Sequence, residues 1–172
     1  DMAHNAGALF ALDNCFATPA LQRPALMGAD IIMHSGTKYL DGQGRVMAGA
    51  LCASAAMVKE KFLPVMKNSG MILSPFNAWV ILKGMETLGI RMEAQSKRAL
   101  EVAQWLEKHP AVARVYYPSL SSHPQHALAT SQMHGYGGMV SVWLKGGLPA
   151  ARRLMERTKL FACAESLGGV ES

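Results

Sequence analysis

Two short apolar runs, each ending in polar residues, place the strongest constraint on how this chain can fold. Residues 8–13 and 30–34 are mainly apolar runs bounded by turn residues, so each is predicted to be a buried strand. Between them lies enough chain for the crossover that parallel strands need, with Pro24 placed to open a short helix. The pattern predicts two parallel strands of an α/β fold, whose carboxyl ends share one sheet edge.

The polar residues after these runs are suited to a phosphorylated ligand that is also held covalently. Asp13 ends the first run. Ser35, Thr37 and Lys38 follow the second, and Gly36 lacks the Cβ that would obstruct a close ligand. Ligands of open α/β folds bind at this edge. A lysine for a Schiff base, an acid for a pyridinium nitrogen and hydroxyls for a phosphate together indicate pyridoxal phosphate, which accepts electrons from a substrate Cα.

At these positions the sequence resembles the Cys/Met metabolism, or transsulfuration, group of pyridoxal-phosphate enzymes. The likeness rests on residues 12–19 (LDNCFATP), 28–30 (GAD) and 34–40 (HSGTKYL), and on a second motif at residues 164–172 (AESLGGVES). The resemblance implies an α/β fold of the aspartate aminotransferase-like kind, fold type I of the pyridoxal-phosphate-dependent transferases. It also implies that the chain is a fragment covering less than half of a usual member.

The resemblance implies a role for each candidate site residue. Lys38 would form the Schiff base with pyridoxal 5′-phosphate and, once displaced by substrate, act as the base at Cα and Cβ. Asp13 would pair with the pyridine nitrogen, and Ser35 and Thr37 would hold the phosphate. Ser166 would help to place the substrate carboxylate and the lysine. The family's phosphate loop, stacking aromatic residue and carboxylate-binding arginine are expected outside this chain, which alone is expected to be inactive.

The loop after the lysine bears on which reaction the resemblance implies. Residues 39–45 (YLDGQGR) are most similar to the O-succinylhomoserine sulfhydrylase branch. In that branch sulfide replaces succinate at Cγ to give homocysteine for methionine biosynthesis. Cystathionine γ-synthases and cystathionine lyases of the same family more often carry Asn-Gly-His there, and they stay open as alternatives. The expected partners are an amino-acid substrate, sulfide and further copies of the chain in a homotetramer built from dimers.

Two interpretations outside this family also stay open. Ser35 and Lys38 satisfy the Ser-x-x-Lys of penicillin-recognising serine enzymes, but the accompanying Ser-Asp-Asn and Lys-Thr-Gly do not occur. Those enzymes need the serine on a helix, whereas Gly36 after a strand favours a loop. The non-enzymatic alternative is an inactive remnant or interaction module, and the intact polar set at the sheet edge argues against it.

Composition and charge narrow the expected partners. Half of the 172 residues are apolar, which is enough to form a buried core, and only 17% are charged. The net charge of +5 comes from scattered Lys and Arg, so it predicts a surface that tolerates anionic substrates and not a nucleic-acid interface. No signal peptide is expected and no apolar run is long enough to span a bilayer, so a cytoplasmic protein without membrane contact is expected.

The cysteines and the paired histidines predict neither a disulfide framework nor a metal site. Cys15, Cys52 and Cys163 are far apart and odd in number, so buried free thiols are expected. His123 and His126 have no cysteine or acidic ligand nearby and are expected to be structural.

Beyond the lysine, turn residues are predicted to lead to a third strand and a helix. The glycines of residues 42–44 are expected to let the backbone pass close to the cofactor lysine, because no third glycine or helix follows to bind a dinucleotide. Residues 46–53 form the strand. Ser54 caps a helix that Pro64 should end, and residues 66–73 should form a loop.

A longer helical pattern follows, and the domain boundary is predicted within it. It begins at Ser74 and should bend near Gly84 or Gly89, with its Met and Trp side chains in the core. Residues 1–98 are predicted to be the C-terminal part of a cofactor-binding α/β domain. Residues 99–172 are predicted to be the first part of a C-terminal α+β domain with short strands.

Overall fold

The computed structural model describes residues 2–170, so Asp1 and the last two residues of the second motif lie outside it. Three strands form one sheet in the order β1-β2-β3, and two form another. The strands are β1 (Ala11–Asp13), β2 (Ile31–Ser35), β3 (Gly49–Ala53), β4 (Val112–Tyr116) and β5 (Ser141–Leu144). The helices are α1 (Met2–Asn5), α2 (Thr18–Leu21), α3 (Ala55–Met57), α4 (Leu63–Ser69), α5 (Pro75–Met85), α6 (Leu88–Lys108), α7 (His126–Gln132) and α8 (Gly147–Arg157).

β1 and β2 are parallel, as the sequence predicts, and their carboxyl ends lie at one edge. Asp13 is beside Met33 in the ladder, so Ser35 lies just past the end of β1. The crossover contains α2 and a 3-10 turn that Pro24 opens. β3 runs antiparallel to β2. The arrangement presents Asp13 and the polar residues after β2 on the same side of the sheet.

The helix that follows Ser54 continues past Pro64, so the prediction that proline ends it is wrong. Ser54 does cap the helix, because its hydroxyl accepts a hydrogen bond from Met57 N at 3.3 Å. The chain then passes from α3 through a π-helical turn (Val58–Phe62) into α4. Pro64 is tolerated in the first turn of α4, where a backbone N–H is not needed. The π-helical turn before it is wider than an α-helix and leaves room for the ring. The predicted loop over residues 66–73 is therefore helical up to residue 69.

The long helical pattern is broken into α5 and α6 at Glu86 and Thr87, between the two glycines where a bend is predicted. α6 contributes to two hydrophobic clusters. Leu88 and Met92 pack with Leu21, Tyr39 and Leu40. Ala99 and Ala103 pack with β4 and with the segment that follows it, including Val112, Val115, Tyr117 and Leu120. One long helix therefore joins the lysine segment to the second sheet, and the domain division near Ala99 stays a prediction.

Burial of the large side chains differs from the prediction. Met92 is buried, but Trp79 and Trp105 are 55% and 61% exposed, and Met85 is exposed as well. Within the described residues α5 buries only Val80 and Gly84, because a single side of the helix is covered. The expectation that the Met and Trp residues are core contacts is correct for Met92 and wrong for the others.

The cysteines are free, but two of the three are not buried as expected. Cys15 is partly buried, whereas Cys52 and Cys163 are exposed. Cys52 lies on β3, which is an edge strand with little covering on either face in the described residues. Because β3 is an edge strand that is largely uncovered, its apolar sequence does not bury the Cys52 thiol.

The paired histidines serve the local backbone. Nδ1 of His126 lies 2.9 Å from the Pro118 carbonyl oxygen, and Nδ1 of His123 accepts a hydrogen bond from Gln125 N at 3.1 Å. In residues 2–170 no group of three or more His, Cys, Asp and Glu side chains could hold a metal ion. Within the same residues, every helix is too short or too polar to cross a membrane.

Candidate active site

The lysine of the first motif contacts the serine of the second. Lys38 lies in a π-helical turn (Gly36–Leu40) that begins directly after β2. Its Nζ donates a hydrogen bond to Ser166 Oγ at 3.2 Å, across 128 residues of sequence. Leu167, beside the serine, packs on the cluster that contains Tyr39 and Leu40. The structure therefore brings together two motifs that lie far apart in the sequence, as the implied role of Ser166 requires.

Asp13 lies at the end of β1, where Cys15 contacts its carboxylate. The backbone N–H of Cys15 donates to Asp13 Oδ1 at 2.9 Å. Hydrogen bonds from the thiol and the backbone of Cys15 keep the pKa of Asp13 below its ordinary value, and the nearby His34 acts in the same direction. Asp13 is therefore ionised at neutral pH and ready to pair with a cationic nitrogen.

The two hydroxyls predicted to bind phosphate have different surroundings. Thr37 Oγ1 accepts a hydrogen bond from Ala48 N at 3.1 Å, and it lies 3.4 Å from the Ala48 carbonyl oxygen. The backbone N–H of Ser35 donates to Cys15 Sγ at 2.9 Å, and its hydroxyl has no hydrogen-bond partner within residues 2–170. The Ser35 hydroxyl is therefore free for an anion, and Thr37 keeps a hydrogen that is only weakly engaged.

Two arginines fix the turn that carries Lys38, a feature that the sequence analysis missed. Asp41 is fully buried and accepts hydrogen bonds from Arg45 N at 2.7 Å and Arg45 Nε at 2.8 Å. Arg91 Nη1 donates to the Tyr39 carbonyl at 2.9 Å, and Nη2 donates to the Gly84 carbonyl at 2.8 Å. No sequence pattern connects Arg91 with a turn 52 residues earlier. The spacing of Asp41 and Arg45 in the loop, in contrast, could have indicated their pairing.

Gly42 makes room for Arg91 and not for the lysine. Its φ of +69° is in the left-handed region, and a Cβ there would overlap the Arg91 guanidinium. The backbone N–H of Gly42 donates to the Lys38 carbonyl at 2.9 Å, so the expected close approach to the lysine is present. The space left by the missing Cβ, however, is used by Arg91. The physical role of Gly42 is to admit the guanidinium that holds the backbone next to Lys38.

A cavity of about 320 Å³ lies beside Asp13, and Lys38 is not part of its wall. The residues that line it include Asp13, Asn14 and Cys15, and also Tyr136 and Met139. Asn14 is buried, and its side-chain oxygen has no hydrogen-bond partner in the described part of the chain. A residue that lines this cavity thus has a buried polar atom that is left to a ligand, a water molecule or chain outside these residues.

The groups present at this edge fit pyridoxal phosphate chemically. Asp13 supplies an ionised acid, Ser35 a free hydroxyl, and Lys38 an amine whose hydrogen-bond partner Ser166 is itself exposed. An acid for the pyridine nitrogen, a hydroxyl for the phosphate and an amine for the aldehyde are the three kinds of group that this cofactor needs.

Comparison with known proteins identifies the family. Over residues 1–172 the chain matches the Cys/Met metabolism PLP-dependent enzymes. The chain belongs to this family. Its fold is that of the pyridoxal-phosphate-dependent transferases of fold type I, and the cofactor of the family is pyridoxal phosphate. The predicted family, fold class and cofactor are confirmed. Ser35 ends a strand and does not lie on a helix, so the penicillin-recognising interpretation is wrong.

Relatives in this family carry out several different reactions. The chain is 49% identical to the O-succinylhomoserine sulfhydrylase of Pseudomonas aeruginosa over 172 residues, all of this chain and 42% of the relative. It is 49% identical to the cystathionine β-lyase of Coxiella burnetii over 161 residues, 93% of this chain and 42% of the relative. The chain thus spans about two fifths of the length of these relatives.

A solved structure has the same fold as the described chain. The cystathionine γ-synthase of Xanthomonas oryzae pv. oryzae, in complex with aminoacrylate and cysteine, superposes with a TM-score of 0.93 at 41% identity. The match covers 98% of this chain and 44% of that one. A sulfhydrylase, a lyase and a synthase are therefore all similar to the chain, so similarity supports the family and not one reaction.

Proposed function

We propose that the whole protein is a pyridoxal-phosphate-dependent sulfhydrylase of methionine biosynthesis. It would replace the succinyl group of O-succinyl-L-homoserine with sulfide, so that a C–S bond forms at Cγ, the C–O bond breaks, and L-homocysteine and succinate are released. The observation that carries the proposal is the hydrogen bond from Lys38 Nζ to Ser166 Oγ, because it joins the two family motifs at one sheet edge.

Each site residue has a task in this proposal. When bound, pyridoxal phosphate supplies an electron sink that stabilises negative charge at the substrate Cα. Lys38 holds the cofactor through its amine and, once free, moves protons at Cα and Cβ. Asp13 keeps a proton on the pyridine nitrogen, and its pKa below the ordinary value supports that pairing.

The remaining polar residues bind and orient. Ser35 and Thr37 donate their hydroxyl hydrogens to the phosphate. Ser166 accepts from the Lys38 amine, and it helps to place the substrate carboxylate. The hydrogen bonds of Arg91 to the Tyr39 and Gly84 carbonyls support this arrangement, because they hold the lysine turn against α5.

The loop after the lysine favours the sulfhydrylase over its relatives. In the loop of residues 39–45, Asp41 is buried and paired with Arg45, so these two residues depend on each other. A loop with Asn in place of Asp would leave the Arg45 guanidinium without its ionic partner. The identity of 49% to a named O-succinylhomoserine sulfhydrylase over the whole chain adds support. Cystathionine γ-synthase and cystathionine lyase activities are the alternatives.

Substrate competition tests the proposal. The whole protein, supplied with pyridoxal phosphate, is given O-succinyl- or O-acetyl-homoserine with either sulfide or cysteine, and the products are quantified. We expect homocysteine and succinate from the succinyl ester and sulfide as the fastest reaction. Faster formation of cystathionine from cysteine would instead identify a cystathionine γ-synthase. Cleavage of added cystathionine as the dominant activity would identify a lyase, and absence of all these activities would favour the inactive module.

We also propose that the whole protein is a cytoplasmic homotetramer assembled as a dimer of dimers. Family resemblance supports this, and so do the large apolar side chains that α5 leaves exposed, including Phe76, Trp79 and Leu82. Light scattering coupled to size-exclusion chromatography gives the mass directly. A mass of four chains is expected, and a stable monomer would contradict the proposal.

A further inference from the structure

Cys15 lies between the acid and one of the hydroxyl residues of the candidate site. Its backbone N–H donates to Asp13 Oδ1 at 2.9 Å. Its sulfur accepts a hydrogen bond from the Ser35 backbone N–H, also at 2.9 Å. One side chain thus connects the end of β1 with the end of β2.

The sulfur replaces a backbone acceptor that the parallel ladder lacks at this point. The last bond of the ladder runs from Asn14 N to the Met33 carbonyl at 2.9 Å. The next rung would need the Asn14 carbonyl, but this oxygen accepts from Thr18 N at 2.9 Å where the chain turns into α2. Since β1 has ended, the Ser35 N–H would be left without a partner if the sulfur of Cys15 were absent.

We propose that Cys15 is a positioning residue that couples the pyridine end of the cofactor site, at Asp13, to the phosphate end, at Ser35. The inference rests on the proposed roles of those two residues. Burial, followed by the bond to Asp13, raises the pKa of the Cys15 thiol to about 11, so the thiol stays protonated. The sulfur accepts from the Ser35 N–H at 2.9 Å, and the protonated thiol keeps a hydrogen that it can offer to the Asp13 carboxylate.

Asn14, the residue before Cys15, supports the view that the end of β1 faces a ligand. Asn14 and Cys15 both line the cavity of about 320 Å³ that Asp13 borders. The Asn14 side-chain oxygen is buried and lacks a hydrogen-bond partner among the described residues. Cys15 therefore lies where a displacement of β1 relative to β2 would directly change the spacing of the groups that hold the cofactor.

Three substitutions in the whole protein separate hydrogen bonding from space filling. Cys15→Ser keeps a donor and an acceptor, Cys15→Val keeps the volume without either, and Cys15→Ala keeps neither. Cys52→Ala is the matched control, because that cysteine is exposed on β3. The measurements are the dissociation constant for pyridoxal phosphate and the pH titration of its visible absorbance band. Circular dichroism establishes that each variant is folded.

We expect Cys15→Val and Cys15→Ala to weaken cofactor binding roughly tenfold and to shift the titration midpoint by about half a pH unit or more. We expect Cys15→Ser to stay within about threefold of the unmodified protein, and Cys52→Ala to match it. A valine variant that binds and titrates like the unmodified protein would overturn the proposal in favour of simple packing. A serine variant as weak as alanine would also overturn it. Failure of the unmodified protein to bind the cofactor would be a separate result, against the proposed function itself.

Discussion

The amine of Lys38 and the hydroxyl of Ser166 lie 3.2 Å apart, although 128 residues separate them in the chain. The first residue lies in the turn after β2, and the second lies in a segment that packs back onto that turn through Leu167. A lysine with the two proposed roles, holding the cofactor and moving protons, needs its amine oriented, and Ser166 is a partner that can orient it. The contact therefore links the fold to the proposed chemistry.

Replacing this serine tests its role without removing the lysine. We expect Ser166→Ala to lower kcat/KM roughly tenfold, because the amine loses a hydrogen-bond acceptor in the site. Cofactor attachment should persist, since the lysine remains. Steady-state kinetics of the whole protein measure the effect, with Ser121→Ala as an exposed control that should leave kcat/KM unchanged. Unchanged kinetics in Ser166→Ala would show that the contact has no part in turnover.

The ion pair between a buried carboxylate and a partly exposed guanidinium in the loop after the lysine should matter for stability. Asp41 is fully buried and Arg45 is its partner, so Asp41→Asn leaves the guanidinium unpaired. We expect the free energy of unfolding to fall by about 2 to 3 kcal/mol in chemical denaturation, less than for a fully buried pair because Arg45 is partly exposed. Glu86→Gln breaks an exposed pair with Lys83 and should cost less than about 1 kcal/mol. An equal loss of unfolding free energy in the two variants would contradict the claim that the burial of Asp41 makes its ion pair more important.

Two glycines near the helix break should respond oppositely to alanine. A Cβ on Gly84 would lie 2.5 Å from the carbonyl oxygens of Leu40 and Asp41, so α5 could not approach the lysine turn. We expect Gly84→Ala to destabilise the protein by about 3 kcal/mol. Gly89 has open space around its Cβ position, so Gly89→Ala should stabilise α6 by about 0.5 to 1 kcal/mol. Thermal and chemical unfolding of both variants provide the comparison.

Stability should decline in mild acid because of His34. Burial lowers the pKa of His34 below its ordinary value of 6.5, although the charge of Asp13 opposes this. The folded protein therefore binds fewer protons than the unfolded chain. The contribution is complete above pH 6.5 and is lost as pH falls towards the lower pKa of the folded state.

His34→Gln isolates that contribution. We expect the variant to lose less stability than the unmodified protein between about pH 7.5 and about pH 5.5. Chemical denaturation at both pH values measures the difference. His134→Gln, at an exposed histidine, should keep the pH dependence of the unmodified protein. An identical pH dependence in His34→Gln would exclude His34 as the source.

The parts of the fold that could be predicted from the sequence are those that depend on local sequence patterns. The parallel pairing of β1 and β2 follows from two apolar runs and a crossover, and Ser54 is a cap because of its hydroxyl. The prediction that Pro64 ends the helix was wrong because a π-helical turn accommodates the proline ring. No local sequence pattern predicts that turn. The exposed Trp79 shows that an apolar helix face is not buried unless another element covers it.

The site was only partly predictable for a similar reason. Asp13, Ser35, Thr37 and Lys38 were proposed because they follow two predicted strands, and Ser166 was proposed because it stands in a family motif. The guanidinium of Arg91 and the sulfur of Cys15 act through contacts with backbone groups 52 and 20 residues away. Such contacts depend on how the chain packs, so composition and spacing do not reveal them.

The central claim is that Lys38 is the residue that holds pyridoxal phosphate. Borohydride reduction of the loaded whole protein, followed by peptide mapping, locates the attachment directly. We expect the cofactor mass on the peptide that contains Lys38, with no attachment in Lys38→Ala and normal attachment in Lys97→Ala. Attachment to a different lysine, or undiminished attachment in Lys38→Ala, would contradict the claim.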